Sequence, residues 1–363
     1  MGGTGPGNYS HVQYAIDNAS AGDTIFVFDD SSPYYENVDV NKTINIVGEN
    51  KDTTVIDGLS RFYVLWITSN EVTISDLTIQ YGGSGWSTGG IYIAATDVTI
   101  ENCIIQHNAN GIFIEGASYN YILNNTIHQN IYHSIRLEYT SNNHVCDNSL
   151  FGNDNGIYMW ESPDNIIVRN NLEFSNWAGM ILGEYCDGNL IYHNNFVNNV
   201  VEHAYDLSNN SWDAGYPIGG NYWDDYAGVD NDGDGIGDTP YVIRGPNAVD
   251  RYPLMEPFGE GLPNVSIDIQ GGVGVSIIIT DNRENATVDL PVSIDIAFSY
   301  FIRDRLLGGS PIVHNDLMLS ENQEIIVRQL PPYLIGLGLV EVDVTIGLLE
   351  ESAEMRVISF FVL

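Results

Sequence analysis

Residues 99–153 read TIENCIIQHNANGIFIEGASYNYILNNTIHQNIYHSIRLEYTSNNHVCDNSLFGN, and asparagine returns through them at a fixed interval. One register comprises Asp76, Asn102, Asn125, Asn148, Asn171 and Asn195, at steps of 26, 23, 23, 23 and 24. A second comprises Asn108, Asn130, Asn153, Asn176 and Asn199, and a third Asn120, Asn143, Asn165 and Asn189. Each repeat also carries a short apolar alternation: IYIA, IFIE, IRLE, IYMW, MILG. Three short strands per 22 to 24 residues, joined at Asn-rich corners, describe one coil of a parallel β-helix. Asparagine suits the corners because it tolerates left-handed backbone angles, and stacked amides can bond from coil to coil. Apolar residues alternate with period two, which excludes helical repeats, and no leucine framework is present.

A solenoid needs its open ends covered. YSHVQYAIDNASAGD, from Tyr9, reads as a capping helix with Val12, Ala15, Ile16 and Ala19 on one face. Ser10 and Gln13 have the spacing of a capping box, and Gly22 suits the stop. TIFVF and TINIVGEN then begin the stack.

VQYAIDNASAGDTIFV and YYENVDVNKTINIVGENKDTTVIDG together resemble the opening of right-handed parallel β-helix proteins of bacterial and archaeal surfaces. GGNYWDDYAGVDNDGDGIGDTPYVI and DRYPLMEP resemble the closing segment of the periplasmic copper-binding family linked to nitrous oxide reductase maturation, a segment also found in archaeal surface proteins. The resemblance spans roughly residues 1–258. It implies a right-handed coil and an extracytoplasmic location, and says little of function, because such folds host many roles.

After EPFGEGLPN the asparagine pairs vanish, and VSIDI, GVSIIIT, ATVDLPVSIDIAFSY, QEIIVRQL, LVEVDVTI and MRVISFFVL follow at intervals of roughly ten residues. This predicts a small immunoglobulin-like β-sandwich over 262–363, behind a β-helix domain over 1–258. No Cys–Trp–Cys framework is present. The apolar VSIIIT and VISFFVL suggest a buried strand or a contact edge. The whole chain is thus expected to be all-β apart from the capping helix.

Against 48 acidic residues stand 12 basic ones, a net charge of −36. That charge repels nucleic acid and anionic lipid, and favours multivalent cations or salt as partners. Cys103, Cys146 and Cys186 form no C-x-x-C and read as small buried residues. No run of 18 or more apolar residues is present, so no membrane span is expected. Sequons at Asn8, Asn18, Asn41, Asn124, Asn209, Asn264 and Asn285 fit an exported, cell-surface or extracellular protein.

DNDGDGIGD, Asp230 to Asp238, follows the ligand spacing of a calcium loop. Asp230, Asp232 and Asp234 fall at positions 1, 3 and 5, Ile236 offers its carbonyl at 7, and Asp238 stands at 9. Position 12 is Tyr241, so the expected site is a single-loop Ca²⁺ site completed by Asp224, Asp225 or Asp250. With Tyr222, Trp223, Tyr226, Tyr241, Tyr252, Pro253 and Leu254 it reads as a plug over the last coil.

Outward columns of the strands place Phe113, Arg136 and Tyr158 beside Glu115, Glu138 and Trp160. Rings beside carboxylates suit a glycan-binding face, and adjacent coils bring Glu115 and Glu138 toward the separation of a retaining glycosidase pair. Only Arg61, Arg136 and Arg169 are basic between residues 60 and 200, a poor supply for a pectate-type lyase. His107, His128, His133, His144, His193 and His203 share no repeat register, which disfavours copper. Two classes remain. One is a structural cell-surface protein (an S-layer, sheath or filament subunit, or an adhesin) that assembles with itself and with surface glycans and is stabilised by calcium. The other is an extracellular carbohydrate-binding or polysaccharide-processing β-helix enzyme, a lyase or glycoside hydrolase.

Overall fold

The computed structural model describes residues 8–259 and, beyond them, strand backbones between residues 265 and 362. The sequons at Asn264 and Asn285 lie outside the described residues; Asn8, Asn18, Asn41, Asn124 and Asn209 are all exposed. The chain divides into two compact units, Met1–Gly228 with Thr239–Phe258, and Gly259–Leu363 with Val229–Asp238.

The first unit is a right-handed parallel β-helix. Its three sheets hold eight, nine and eight strands, and successive strands in each are one coil apart. The first face runs from Thr24–Val27 to Leu190–Tyr192, the second from Tyr34–Tyr35 to Tyr222–Trp223, and the third from Val38–Val40 to Glu202–Asp206. The period-two alternation sends one aliphatic residue per strand inward, and register stacks them. Ile46, Ile74, Ile100, Ile122, Val145, Ile167 and Ile191 form one such column, all fully buried. Each contributes about 1.5–3 kcal/mol of burial.

The corners carry the repeat signature in a form the spacing alone did not give. A residue with positive φ stands immediately before the first four ladder positions: Asn124 before Asn125, Asp147 before Asn148, Arg169 before Asn170, His193 before Asn194. The ladder asparagines themselves are not left-handed, so tolerance of that geometry is not why they are asparagine. Their amides are the reason. The Asn148 Oδ1 accepts from the Asn125 backbone N–H (2.9 Å) and Nδ2 (3.1 Å), while Asn148 Nδ2 donates to Asn170 Oδ1 (2.9 Å). The first ladder therefore runs from Cys103 N–H through Asn125, Asn148, Asn170, Asn194 and Asn221, one residue past the left-handed Asn102 and one residue short of the Asn171 and Asn195 of the periodic reading. Those two lie on the second face and bond each other. The second register likewise places Ser175, not Asn176, above Asn199, and the Ser175 hydroxyl is left buried without a partner. The third register holds as expected and continues from Asn189 to Asn210.

The capping helix spans Val12–Asn18, with Val12 and Ile16 buried. Its cap differs from the expected Ser10–Gln13 box. His11 is the N-cap and offers no side-chain cap; the Glu36 carboxylate, from the corner between the second and third strands of the first coil, accepts the N–H groups of Val12 (2.8 Å) and Gln13 (3.0 Å) instead. A carboxylate outranks a hydroxyl there because it meets orphan donors and the positive helix end together. Replacing Glu36 with alanine is expected to cost on the order of 1 kcal/mol in denaturant unfolding.

Among the described residues, the second unit holds ten strands in two antiparallel sheets. Val265–Gln270, Val275–Asp281 and Glu324–Gln329 form the smaller, with the VSIIIT strand in the middle. That strand is paired on both sides, so of the two expectations for VSIIIT the contact edge does not apply; VSIDIQ and EIIVRQ are the edges. Phe361–Val362 is also paired on both sides.

Candidate functional site

Two regions of the first unit concentrate chemistry. On the third face, register joins Phe113 to Arg136 and Tyr158, and Glu115 to Glu138 and Trp160, as the columns predicted. The side chains are committed to one another. Arg136 is 4% exposed, its guanidinium lying 4.3 Å from the Phe113 ring and 4.6 Å from that of Trp86. Its Nε and Nη2 donate to Glu138 Oε1 (2.9 and 2.7 Å), and its Nη1 to the Trp86 carbonyl (2.7 Å). Glu115 accepts from the Tyr92 hydroxyl at 2.8 Å, and Tyr92 is pushed up to about 12, first by burial and then by that bond. Tyr158 stacks on His133 (4.7 Å), whose ring is held neutral because burial, with Arg136 nearby, pulls it down to about 3. Trp66 and Trp86 remain exposed at the border of this patch.

The second region is the closing segment. Phe196, Trp223 and Tyr241 stack in sequence, with centroids 4.3 and 4.2 Å apart, and Trp212 flanks Trp223. Trp212 and Trp223 are fully buried and cover the last coil. Beneath them lie two buried carboxylates. Asp206 continues the aliphatic column below Leu182 and accepts from the Trp212 indole (2.8 Å), the Asn210 amide (2.9 Å) and the Ser208 N–H (2.9 Å). Asp250 accepts from the Trp223 indole (2.9 Å) and the backbone N–H groups of Asn221 (2.7 Å) and Tyr252 (3.1 Å). A Cβ on Gly220 would lie 1.9 Å from the Asp250 carboxylate, which explains the glycine before Asn221. Asp250 is thus unavailable to the loop 230–238. Asp224 and Asp225 are also turned elsewhere: His203 Nε2 lies 2.8 Å from Asp224 and 3.5 Å from Asp225.

Within the loop, Asp230, Asp232 and Asp234 converge, each offering a carboxylate oxygen within 4.8 Å of the others. Asp230 accepts the N–H groups of Gly233 and Gly235, and Asp234 that of Ile236. Asp238 stands apart from the three, its carboxylate accepting from Asn231. Among the histidines, His107 stacks on Tyr81, His128 on Phe151, His144 on Tyr121 and His193 on Phe258, and the His107 and His128 rings meet edge to face at 6.5 Å. The three thiols are buried and free, Cys103 pushed up to about 12 and the others to about 11 by burial. Asp206, Trp212 and the pairing of His203 with Asp224 escaped the sequence reading. A charged residue in the inward phase of EHAYD was the available signal.

A family model described as periplasmic copper-binding protein (NosD) matches residues 16–228. Pectate lyase Pel9A is similar in structure, with 18% identity and a TM-score of 0.47, over 58% of this chain and 62% of that one. DFA-IIIase from Arthrobacter chlorophenolicus A6 follows with 16% identity and a TM-score of 0.35, over 47% and 56%. The enzymatically active domain of bacteriophage CBA120 tailspike protein 2 gives 12% and 0.38, over 96% and 74%. The chain thus spans less than two thirds of the lyase and of the DFA-IIIase, and these are likenesses of fold alone. No curated protein matches the chain. No helix among the described residues is long and apolar enough to cross a membrane.

Proposed function

The chain belongs to the periplasmic copper-binding (NosD) family, and on that premise we propose that it acts outside the cytoplasm as a calcium-stabilised β-helical scaffold, working by assembly rather than turnover. The observation that supports this best is the commitment of the outward face. Arg136 and Glu138 are spent on each other and on Trp86, and Glu115 on Tyr92. A glycosidase pair must instead flank a scissile bond. The second unit we read as an immunoglobulin-like contact module, of the kind used by S-layer, sheath or filament subunits and by adhesins. Release of reducing ends from neutral and acidic polysaccharides tests this. No cleavage is expected, and cleavage abolished by Glu138→Gln would overturn the reading.

Calcium is proposed at Asp230, Asp232 and Asp234, with the Ile236 carbonyl, because converging carboxylates on a glycine-rich turn suit a hard cation. At a calcium concentration a hundredfold above Kd, the folded state gains about 2.7 kcal/mol. Chelation should therefore lower the melting temperature of the wild type and leave Asp232→Ala unmoved; calorimetry checks the binding itself.

Copper, carried by the family's name, does not fit His203, although this residue, Asp224 and Asp225 form the one cluster among the described residues that combines imidazole with carboxylates. The Asn199 amide is fixed by Ser175 N–H on its Oδ1 and by the Leu172 carbonyl on its Nδ2. That Nδ2 faces His203 Nδ1 at 3.3 Å, so Nδ1 accepts and the ring proton sits on Nε2, toward Asp224. A metal on Nε2 needs the opposite tautomer, with its Nδ1–H aimed at an acceptor.

A second reading, glycan binding without cleavage, is favoured by exposed Trp66 and Trp86 beside the acidic pair. Loss of polysaccharide retention in Trp66→Ala would support it.

A further inference from the structure

We propose that the closing segment is an acceptor latch for three amide ladders that all donate in one direction, ending on Asp250, on Asp206 and, through His203, on Asp224. In the first ladder every bond that ends on an asparagine Oδ1 runs from the earlier coil to the later one, from Cys103 N–H to Asn125, then Asn148, Asn170, Asn194 and Asn221, while each Nδ2 also reaches back to a carbonyl of the coil before. Asn221 has no further asparagine. Its backbone N–H donates to Asp250 Oδ2 at 2.7 Å, and its Nδ2, bonded to the Ile191 and Trp212 carbonyls, lies 3.4 Å from the same oxygen. The second ladder begins at Val98 N–H and runs Asn120, Asn143, Asn165, Asn189, Asn210; there Nδ2 donates to Asp206 Oδ1 at 2.9 Å. The third begins at Gly82 N–H, passes Asn108, Asn130 and Asn153, resumes from Ser175 to Asn199, and passes from Asn199 Nδ2 to His203 and on to Asp224.

A chain of aligned amides leaves donors at one end, as a helix does at its N-terminus. Only an acceptor can finish it, and a carboxylate is the side chain that accepts on every lone pair and donates nothing. Two terminations share a further device: an indole N–H, of Trp212 on Asp206 and of Trp223 on Asp250, uses the remaining acceptor capacity and draws a large ring over the last coil. The ladders are thus joined to the aromatic plug at the carboxylates, and the last coil closes only when all three meet their acceptors. His203 belongs to this latch as a relay.

Amide hydrogen exchange on the full chain tests the latch. Asp250→Asn presents an N–H₂ where an oxygen stood, and should speed exchange at Asn194 and Asn221 by ~10-fold or more while leaving Asn165 and Asn189 unchanged. Asp206→Asn should do the converse. Equal acceleration on all ladders, or none, would overturn the proposal. The wild type supplies a second readout should a variant fail to fold. The ¹⁵N shifts of the His203 ring should place its proton on Nε2, and one equivalent of Cu²⁺ should leave them in place. A proton on Nδ1, or selective loss of the His203 signals with Cu²⁺, would refute the relay.

Discussion

Replacing Asp250 with alanine is expected to cost the β-helix unit about 3–5 kcal/mol, because removing a buried acceptor strands the donors gathered on it. Those donors are the Asn221 and Tyr252 N–H groups and the Trp223 indole, and Asp250 itself is fully buried. Denaturant unfolding of variant and wild type checks this, and a loss below about 1 kcal/mol would mean that water replaces the carboxylate freely. The pH dependence separates acceptor from charge. Burial pushes the Asp250 carboxyl up to about 7, against the pull of those donors and with Asp213 nearby. A folded value above the ordinary one means that ionisation opposes folding. The contribution is complete below about 4 and is lost as pH rises through about 7. Asp250→Asn cannot ionise, so its stability should vary less than that of the wild type between those limits while lying lower throughout.

Asn148→Ala is the second large effect, on the order of 4 kcal/mol, because one buried side chain completes five hydrogen bonds. The substitution strands the Asn125 N–H, takes one of two partners from the Asn125 amide and removes the donor on the Ile122 carbonyl, all in the interior. Asn171→Ala is the control. Its 23-residue step selects it equally, yet it lies half-buried on the second face and accepts one bond, from Asn195. Its loss should stay within about 1 kcal/mol. Equal losses at the two positions would dissolve the distinction between ladder and repeat.

The coil was legible in residues 99–153 because two periodicities coincide there: period two within strands, which fixes the inward columns, and 22 to 24 between asparagines, which fixes the corner. The slip from Asn171 to Asn170 was not legible, since VRNNLEF offers two adjacent amides and only the buried one can reach Asn148. The left-handed position was misassigned for a related reason. It precedes the ladder residue and takes Asn124 or Asp147 but equally Arg169 or His193, so composition marks it only in part. The calcium loop was visible as a spacing, but that spacing placed Asp238 among the ligands where the fold turns it to Asn231. Asp224 and Asp250 were visible as acids. Their commitments to His203 and to Trp223 depend on contacts over 21 and 27 residues, which no local pattern encodes. On the outward face the columns were right in register, but Trp86, arriving from an earlier coil to cover Arg136, was beyond a strand-by-strand reading.

A scaffold that works by assembly must change its association state with the ion that screens it. At a net charge of −36, contact between copies is opposed unless cations intervene. Sedimentation velocity of the full chain, paired with electron microscopy of the same samples, measures this directly with calcium and again after chelation. Ordered polymers or sheets with calcium, dispersing to single chains with the chelator, are the predicted result. A chain that stays monomeric with calcium and cleaves a polysaccharide in a Glu138-dependent manner would contradict it.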